Sequence, residues 1–267
     1  MPKKEPEVDV KEHQDQPNAA GQNGEPEVVV RVEDLHKAFS GKKILDGLSV
    51  NLYRGQNLVV MGKSGTGKSV LIKCIVRLIE PDSGLIEVFG RNMAEVKSRE
   101  LDQMRLKMGF LFQSAALYDS MTVRENMEFP LVRQNPRMPQ KEIDGAVEEV
   151  LDSVGLLHAI DKMPEELSGG MRKRAGLART LILKPEIMLY DEPTTGLDTT
   201  TSHEISDLIN SVRDKYGVSS IIITHDLACA QTTGDSIMIL KEGKNYVQGT
   251  FEELYASKDD FVHGLFH

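Results

Sequence analysis

The chain has 267 residues, 40% hydrophobic and 27% charged, a composition suited to one large α/β domain or at most two small ones. Its net charge of −9 argues against sequence-blind binding to a nucleic-acid backbone, which relies on Lys and Arg to displace counterions. With only Cys74 and Cys229 it is not a disulfide scaffold, and with no Trp it shows no aromatic-rich base-stacking platform.

Residues 1–27 hold four of the eleven prolines and a net charge of −4, with few apolar residues and no period. They read as a disordered acidic tail, because such a stretch buries too little surface to offset its ordering entropy. The opening Met-Pro-Lys-Lys-Glu-Pro-Glu has no apolar h-region, so no secretory signal is expected. No apolar run approaches the ~18–20 residues needed to span a bilayer.

A folded domain is expected over 28–267. Val28–Val32, rich in β-branched residues, predicts a strand, and Leu48–Leu52 and Asn57–Met61 predict two more. Gly62–Ser69 reads as a turn and Val70–Ile79 as a helix. Leu85–Phe89 and Gly109–Phe112 predict further strands. From about Thr122 to Glu166 the pattern is helical. Ile143, Ala146, Val147, Val150, Leu151 and Val154 fall on one helix face. A helix over Met171–Leu183 follows, then a buried strand at Ile187–Tyr190. Thr199 is the N-cap candidate for the next helix. Ser220–Thr224 predicts a buried parallel strand, and Ile237–Leu240 with Asn245–Val247 a hairpin turned by Glu242-Gly243. A last helix is expected over Asp259–Phe266. The alternation implies an α/β sheet decorated by an early antiparallel group and a helical insertion at about 93–165.

Gly62-Lys63-Ser64-Gly65-Thr66-Gly67-Lys68-Ser69 fits G-x-x-x-x-G-K-S/T completely, between a predicted strand and a predicted helix. Glycines allow the tight turn that aims several N–H groups into one concavity, and the helix points its positive end there. Lys68 can reach the β- and γ-phosphates, and Ser69 can offer its hydroxyl to Mg²⁺.

Asp191 and Glu192 end the strand Ile187–Tyr190, where ligands of an open parallel sheet sit. Asp191 suits Mg²⁺ and its water; Glu192 suits accepting a proton from the attacking water. Standing alone, the pair reads equally well as acids at a helix N-terminus. His225 lands at the same edge and could donate to the γ-phosphate. Gln113, after Gly109–Phe112, could orient water or Mg²⁺. Phe39 reads by default as core, with a purine face as its alternative partner. Leu167-Ser168-Gly169-Gly170-Met171 opens a helix and makes a second anion site, or simply a helix cap. Two phosphate-binding edges in one chain suggest a two-fold dimer, with ATP between one subunit's phosphate loop and the other's Ser-Gly-Gly.

Over essentially all of 28–267 the sequence resembles the ATP-binding cassette (ABC) ATPases. The match comprises a Walker A loop at 62–69, a Q-loop at Gln113, an LSGG signature at 167–170, Walker B at 187–192, a D-loop at Gly196-Leu197-Asp198 and a switch His225. The resemblance implies a P-loop NTPase with a RecA-like core, an N-terminal antiparallel β subdomain and a helical insertion subdomain. It implies a nucleotide-binding subunit that dimerises on ATP and hydrolyses it with Mg²⁺. By the same resemblance Phe39 takes the adenine-stacking position, Ser168, Gly169 and Gly170 meet the partner's γ-phosphate, and Asp198 lies at the dimer seam. Ser69, Gln113 and Asp191 serve the metal, and Glu192, His225 and Gln113 the reaction.

The run Phe112–Val123, the segment Glu125–Leu131 and the signature's fifth residue, Met171, look like the ATPase subunit of the maintenance-of-lipid-asymmetry group. That group implies phospholipid transport with an integral-membrane permease, an MCE-domain lipid-binding protein and sometimes a small accessory subunit. The ATPase would sit peripherally on the cytoplasmic face of the inner membrane, the permease docking near Ala115–Asp119 and Met163–Glu166. Lys63 departs from a frequent Pro in a variable slot, and with the last helix expected over Asp259–Phe266 the dimer contact that some relatives make through a longer C-terminal extension is not expected here. The ATPase subunit of a transporter for another solute, such as an amino acid or a lipoprotein, is the alternative. A chromosome or translation ATPase fits worse: one cassette is present, and Ser69 and Leu167 are only 98 positions apart.

Overall fold

The computed structural model describes residues 26–267. Most of the expected tail lies outside the described residues. Its last residue does not: the backbone carbonyl of Glu27 accepts from Arg54 N at 2.8 Å, and its Oε1 accepts from Arg54 Nη2 at 2.8 Å. The boundary at 28 therefore falls inside the ordered unit.

Strands β1 (Val28–Phe39) and β2 (Lys42–Tyr53) form a long antiparallel pair. β1 outruns the expected Val28–Val32 because Leu35 continues the inward face through a polar stretch, with register shifts between Val32 and Leu35. β3 (Asn57–Met61) is buried at every residue, as a strand covered on both faces must be. Helix α1 (Lys68–Ile75) begins two residues before the expected Val70. It stops at Ile75 because Arg77 adopts a left-handed φ of 55° and Leu78 N–H turns back to the Lys73 carbonyl at 2.8 Å.

β4 (Ser83–Val88) and β5 (Arg91–Asn92) complete a four-stranded antiparallel sheet of order β2-β1-β4-β5. Helix α2 (Ser98–Leu106) then leads to β6 (Met108–Leu111). Met93, Val96, Leu101 and Met104 are buried in the core shared with the antiparallel sheet. The helical insertion therefore starts after β6, and the expected start at 93 is corrected. Its helices are α3 (Val123–Gln134), closed by a Thr122–Glu125 capping box, and α4 (Gln140–Ser153). The predicted face of α4 is buried at Ile143, Val147, Val150 and Leu151, as is Val154 just beyond it.

The chain returns through α5 (Gly169–Leu181), β7 (Ile187–Asp191), α6 (Thr199–Tyr216), β8 (Ser219–Ile223) and α7 (Leu227–Thr233). The N-cap of α6 is Asp198, whose carboxylate accepts from Thr201 N at 3.0 Å; Thr199 is the first helical residue instead. β9 (Ser236–Lys241) and β10 (Lys244–Gly249) form the expected hairpin. Glu242 and Gly243 both have positive φ, the turn that matches strand twist. Helices α8 (Phe251–Tyr255) and α9 (Asp260–Phe266) follow.

The six-stranded sheet has the order β10-β9-β3-β8-β7-β6, parallel except for the β9–β10 hairpin. Its two faces bury separate cores. One is shared with the antiparallel sheet and α1, the other with α3, α4, α5 and α6. This α/β architecture puts the carboxyl ends of β3, β6, β7 and β8 along one edge.

Candidate active site

An open cleft of about 670 Å³ lies along that edge. It is lined by Phe39, Gly62, Lys63, Ser64, Gly65, Gly67, Lys68, Ser69, Gln113, Asp191, Glu192 and His225. Its volume falls in the ~300–1,000 Å³ range of small-molecule sites. β3 delivers the phosphate loop, β6 delivers Gln113, β7 the two acids, and β8 His225. Four separate strands thus bring the phosphate loop, Gln113, the two acids and His225 to one place.

The loop depends on Gly67. Its φ is 104°, and a Cβ there would lie 2.9 Å from both the carbonyl oxygen and Cγ2 of Ile44. Any larger residue would be strained twice, by backbone and by contact. Lys68 is buried, and its Nζ donates to the carbonyls of Gly62 at 2.8 Å and Lys63 at 3.2 Å. Burial pushes the Lys68 pKa down, while the carboxylates of Glu192 and Asp191 oppose the shift. Thr66 caps the same turn, its hydroxyl donating to the Lys63 carbonyl at 2.9 Å.

Ser69 Oγ donates to Asp191 Oδ1 at 2.9 Å, linking the first helical turn to the end of β7 across 122 positions of sequence. Both atoms are hard oxygen donors. Together with phosphate oxygens they suit Mg²⁺, which uses few protein ligands and keeps substrate and water oxygens. Glu192 turns out of the strand with a left-handed φ of 54°. That twist lets its carboxylate face the cleft rather than continue the strand's alternation. Its Oε2 accepts from Thr195 Oγ1 at 3.1 Å and lies 2.8 Å from His225 Nδ1. The His–Glu contact orients the carboxylate and requires a proton on Nδ1, because an ionised carboxylate only accepts.

Phe39 stands half exposed at the cleft mouth, not in the core, with the Lys37 ammonium 5.3 Å from its ring centroid. Lys63 reaches the other way, its ammonium 5.5 Å from the Phe261 ring of α9. Leu265 of α9 and Ile44 of β2 also line the cleft, although neither carries a local motif.

Ser168, Gly169, Gly170 and Asp198 do not line this cleft. They cluster with one another instead. Ser168 Oγ caps α5 by accepting from Met171 N at 3.3 Å. Gly170 lies against Thr201, where a Cβ would come 2.5 Å from Cγ2, and a Cβ on Gly169 would come 3.2 Å from Leu197 Cδ2. Asp198 is held by Thr201, first through its hydroxyl at 2.7 Å and then through its N–H, and these bonds lower its pKa. The signature and the D-loop are therefore one surface, separate from the phosphate loop of the same chain. A second cleft of about 380 Å³ runs from the D-loop to α7 and shares Thr195 and His225 with the first.

Two residues that matter here carry no motif. Asn126 is fully buried, and its side chain bonds the Tyr118 N–H and the carbonyls of Tyr118, Met121 and Thr122 at 2.8–3.1 Å. It fixes the segment between Gln113 and α3. Lys173 is buried on α5, donating to the Gln113 carbonyl at 2.6 Å and the Glu192 carbonyl at 3.2 Å. Its one visible signal is a lysine at the i+3 position from Gly170 and four before Leu177, on the helix's apolar stripe.

Residues 45–195 match the family model described as "ABC transporter". The chain is 38% identical over 258 residues to protein trigalactosyldiacylglycerol 3, chloroplastic, of Arabidopsis thaliana, covering 91% of this chain and 74% of that one. It is 35% identical over 231 residues to the intermembrane phospholipid transport system ATP-binding protein MlaF of Haemophilus influenzae, covering 86% and 87%. It is 38% identical over 244 residues to phosphonates import ATP-binding protein PhnC 2 of a Synechococcus strain, covering 88% and 90%. Among solved structures, a dimeric ATP-binding cassette in a post-hydrolysis state, bound to ADP and Pi, superposes with a TM-score of 0.76. That pair is 29% identical, covering 83% of this chain and 98% of the other.

Proposed function

The chain belongs to the family of ABC transporter ATP-binding subunits, and from that premise we propose that its ATPase drives phospholipid movement between membranes. As a cassette of this family it binds and hydrolyses ATP. The observation that carries the site reading is the meeting of Ser69 with Asp191 and of Glu192 with His225 at one cleft.

In this reading Phe39 stacks on the adenine, and residues 62–69 cradle the phosphates with backbone N–H groups and the Lys68 ammonium. Ser69, Asp191 and Gln113 would hold Mg²⁺, which would supply charge neutralisation at the phosphates. Glu192 accepts the proton of the attacking water, and His225, oriented through Nδ1, faces the γ-phosphate with its other ring edge. Ser168, Gly169, Gly170 and Asp198 act on the nucleotide of a second copy. Their separation from the phosphate loop within one chain, and the dimeric state of the similar cassette, support that arrangement.

The cargo reading rests on the segments Phe112–Val123 and Glu125–Leu131, on Met171, and on two relatives whose names carry a lipid. Partners would be an integral-membrane permease and an MCE-domain protein, with a small accessory subunit as a further candidate. No helix among the described residues is long and apolar enough to cross a membrane, so attachment would be peripheral, at the cytoplasmic face of the inner membrane. The permease would dock near Ala115–Asp119 and Met163–Glu166, segments whose flanking residues are tied together where Val123 N and Arg124 N bond the carbonyls of Lys162 and Ile160. A transporter for another solute is the second reading, favoured by the phosphonate-import relative. Copurification of the chain with its membrane partners, followed by mass spectrometry of bound small molecules, separates the two. Phospholipid held by a permease–MCE complex is expected; an importer complex without lipid overturns the cargo reading.

A further inference from the structure

The reaction as described uses Gln113 and Glu192 but leaves α5 only its capped N-terminus. One face of α5 is nonetheless built around the segment that follows Gln113. Lys173, Gly176 and Arg179 recur every three residues along it. Lys173 Nζ donates to the carbonyls of Gln113 and Glu192. Gly176 lets Ala115 approach so closely that a Cβ would sit 2.7 Å from the Ala115 carbonyl oxygen. Arg179 Nη1 donates to the Ala116 carbonyl at 2.7 Å, and its guanidinium carbon lies 4.5 Å from the Tyr118 ring centroid.

Lys173 is the unusual member of this face. Its ammonium is buried, makes no ion pair among the described residues, and is satisfied by two main-chain carbonyls. Burial of an ammonium costs more than burial of a neutral side chain, and a methionine of similar length would fill the same space. The two carbonyls belong to residues 79 positions apart that line the cleft from beyond the ends of different strands. We propose that Lys173 is a positioning residue for ATP hydrolysis. Its ammonium locks the main chain of Gln113 to that of Glu192, so that the metal-side glutamine and the general base move as one with α5. The inference rests on the assignment of Glu192 as base and Gln113 as a metal contact. Because Ser168 caps the same helix, a partner engaging the signature would act on both residues through one rigid element.

The test compares Lys173→Met, which keeps length but removes both donors, Lys173→Gln, which keeps amide donors without charge, and Lys173→Arg, which keeps donors and charge. Each full-length variant is titrated with a fluorescent ATP analogue in EDTA and in Mg²⁺, and its phosphate release is measured per folded molecule. Glu192→Gln is run beside them. For Lys173→Met, affinity in EDTA should stay within about twofold of the parent, while turnover falls about 10- to 100-fold, the scale of a small misplacement of catalytic groups. The gain in affinity that Mg²⁺ confers should shrink with it. Lys173→Arg should recover most of both. Parent-like turnover and Mg²⁺ gain in a folded Lys173→Met overturn the proposal. So does failure of both neutral variants to fold while Lys173→Arg is wholly parental, since the lysine would then serve folding alone. Normal phosphate release from Glu192→Gln would instead refute the underlying base assignment, independently of what Lys173 does.

Discussion

The phosphate loop and the signature segment each place a helix N-terminus at the edge of the large sheet, but they differ in what surrounds them. Around the phosphate loop the same chain supplies every neighbour: the α1 lysine, the β7 acids, the β6 glutamine and the β8 histidine. Around the signature it supplies only a scaffold, Thr201, Leu197 and the Asp198 cap. One region is a cleft within a single copy, whereas the other is a surface whose chemistry, on the proposed reading, needs a second copy. Lys68 and Ser168 illustrate the contrast. Lys68 is buried and already aimed across the loop, while Ser168 is exposed and spends its hydroxyl capping its own helix.

The largest expected effect separates chemistry from binding. Glu192→Gln keeps the shape and the contact with Thr195 but cannot take a proton at neutral pH. ATP binding should survive, and phosphate release should fall by ~10²–10⁴-fold, the usual loss of a general base. With ATP unhydrolysed, light scattering should report a dimer in Mg-ATP and not in Mg-ADP. Adding Ser168→Arg to that variant should abolish the dimer while leaving nucleotide affinity per chain unchanged at dilutions where the single variant is itself monomeric. If affinity falls instead, the signature belongs to its own chain's pocket and the contrast between the regions collapses.

Lys68→Ala tests the self-contained pocket. Losing one charge-assisted contact typically costs about 1.5–3 kcal/mol, so titration should show nucleotide binding weakened about 10- to 150-fold. Gly170→Ala tests the scaffold around the signature. The new methyl would meet Thr201 Cγ2 at 2.5 Å, and overpacking of this kind costs about 1–3 kcal/mol in urea unfolding. Thr201→Ser removes the clashing methyl but keeps the hydroxyl on Asp198. In the double variant, therefore, most of that loss should be recovered.

The smallest effect concerns regions away from both sites. Cys74 and Cys229 are buried free thiols, as their isolation in sequence suggests. Burial pushes the Cys74 pKa from 9.0 up to about 11, and that of Cys229 upward as well. Neither thiol should react with a thiol reagent in native protein at pH 8, and both should react in denaturant. Because the folded Cys74 holds its proton to higher pH than the unfolded chain, its contribution to stability is complete below pH 9. It should be lost as pH rises toward about 11, seen as a falling denaturation midpoint.

Much of the pocket was legible from sequence because its parts are short and local. The loop 62–69, the acids after Ile187–Tyr190 and His225 after Ser220–Thr224 each follow a buried strand, and adjacent parallel strands must present their carboxyl ends together. The hairpin turn at Glu242-Gly243 and the buried face of α4 were readable for the same reason. Phe39 was legible only through the family resemblance, because a single aromatic has no period and its local reading is core, whereas the fold places it at a cleft mouth. The start of the insertion was misread because residues 93–106 are polar enough to look peripheral, yet Met93, Leu101 and Met104 seal the antiparallel sheet's core. The α6 cap shifted by one residue because Asp198 and Thr199 are both good caps, and only the backbone decides which carboxylate or hydroxyl meets the Thr201 N–H.

By itself the sequence determined the phosphate loop, the acids, the signature and the order of elements that make this an ABC ATPase. Each of those depends on neighbours within a few residues, on glycine's allowed dihedrals or on a strand's alternation. Only the tertiary structure decided which distant groups touch. It set the Glu192–His225 contact, gave Lys173 its two carbonyls, closed Asn126 over its loop and kept Ser168 apart from Lys68. Those relations arise when two sheets and the helices between them bury separate cores. Burial is non-directional and roughly proportional to area, so a linear pattern can specify that Lys173 faces inward but not which carbonyls it will meet there.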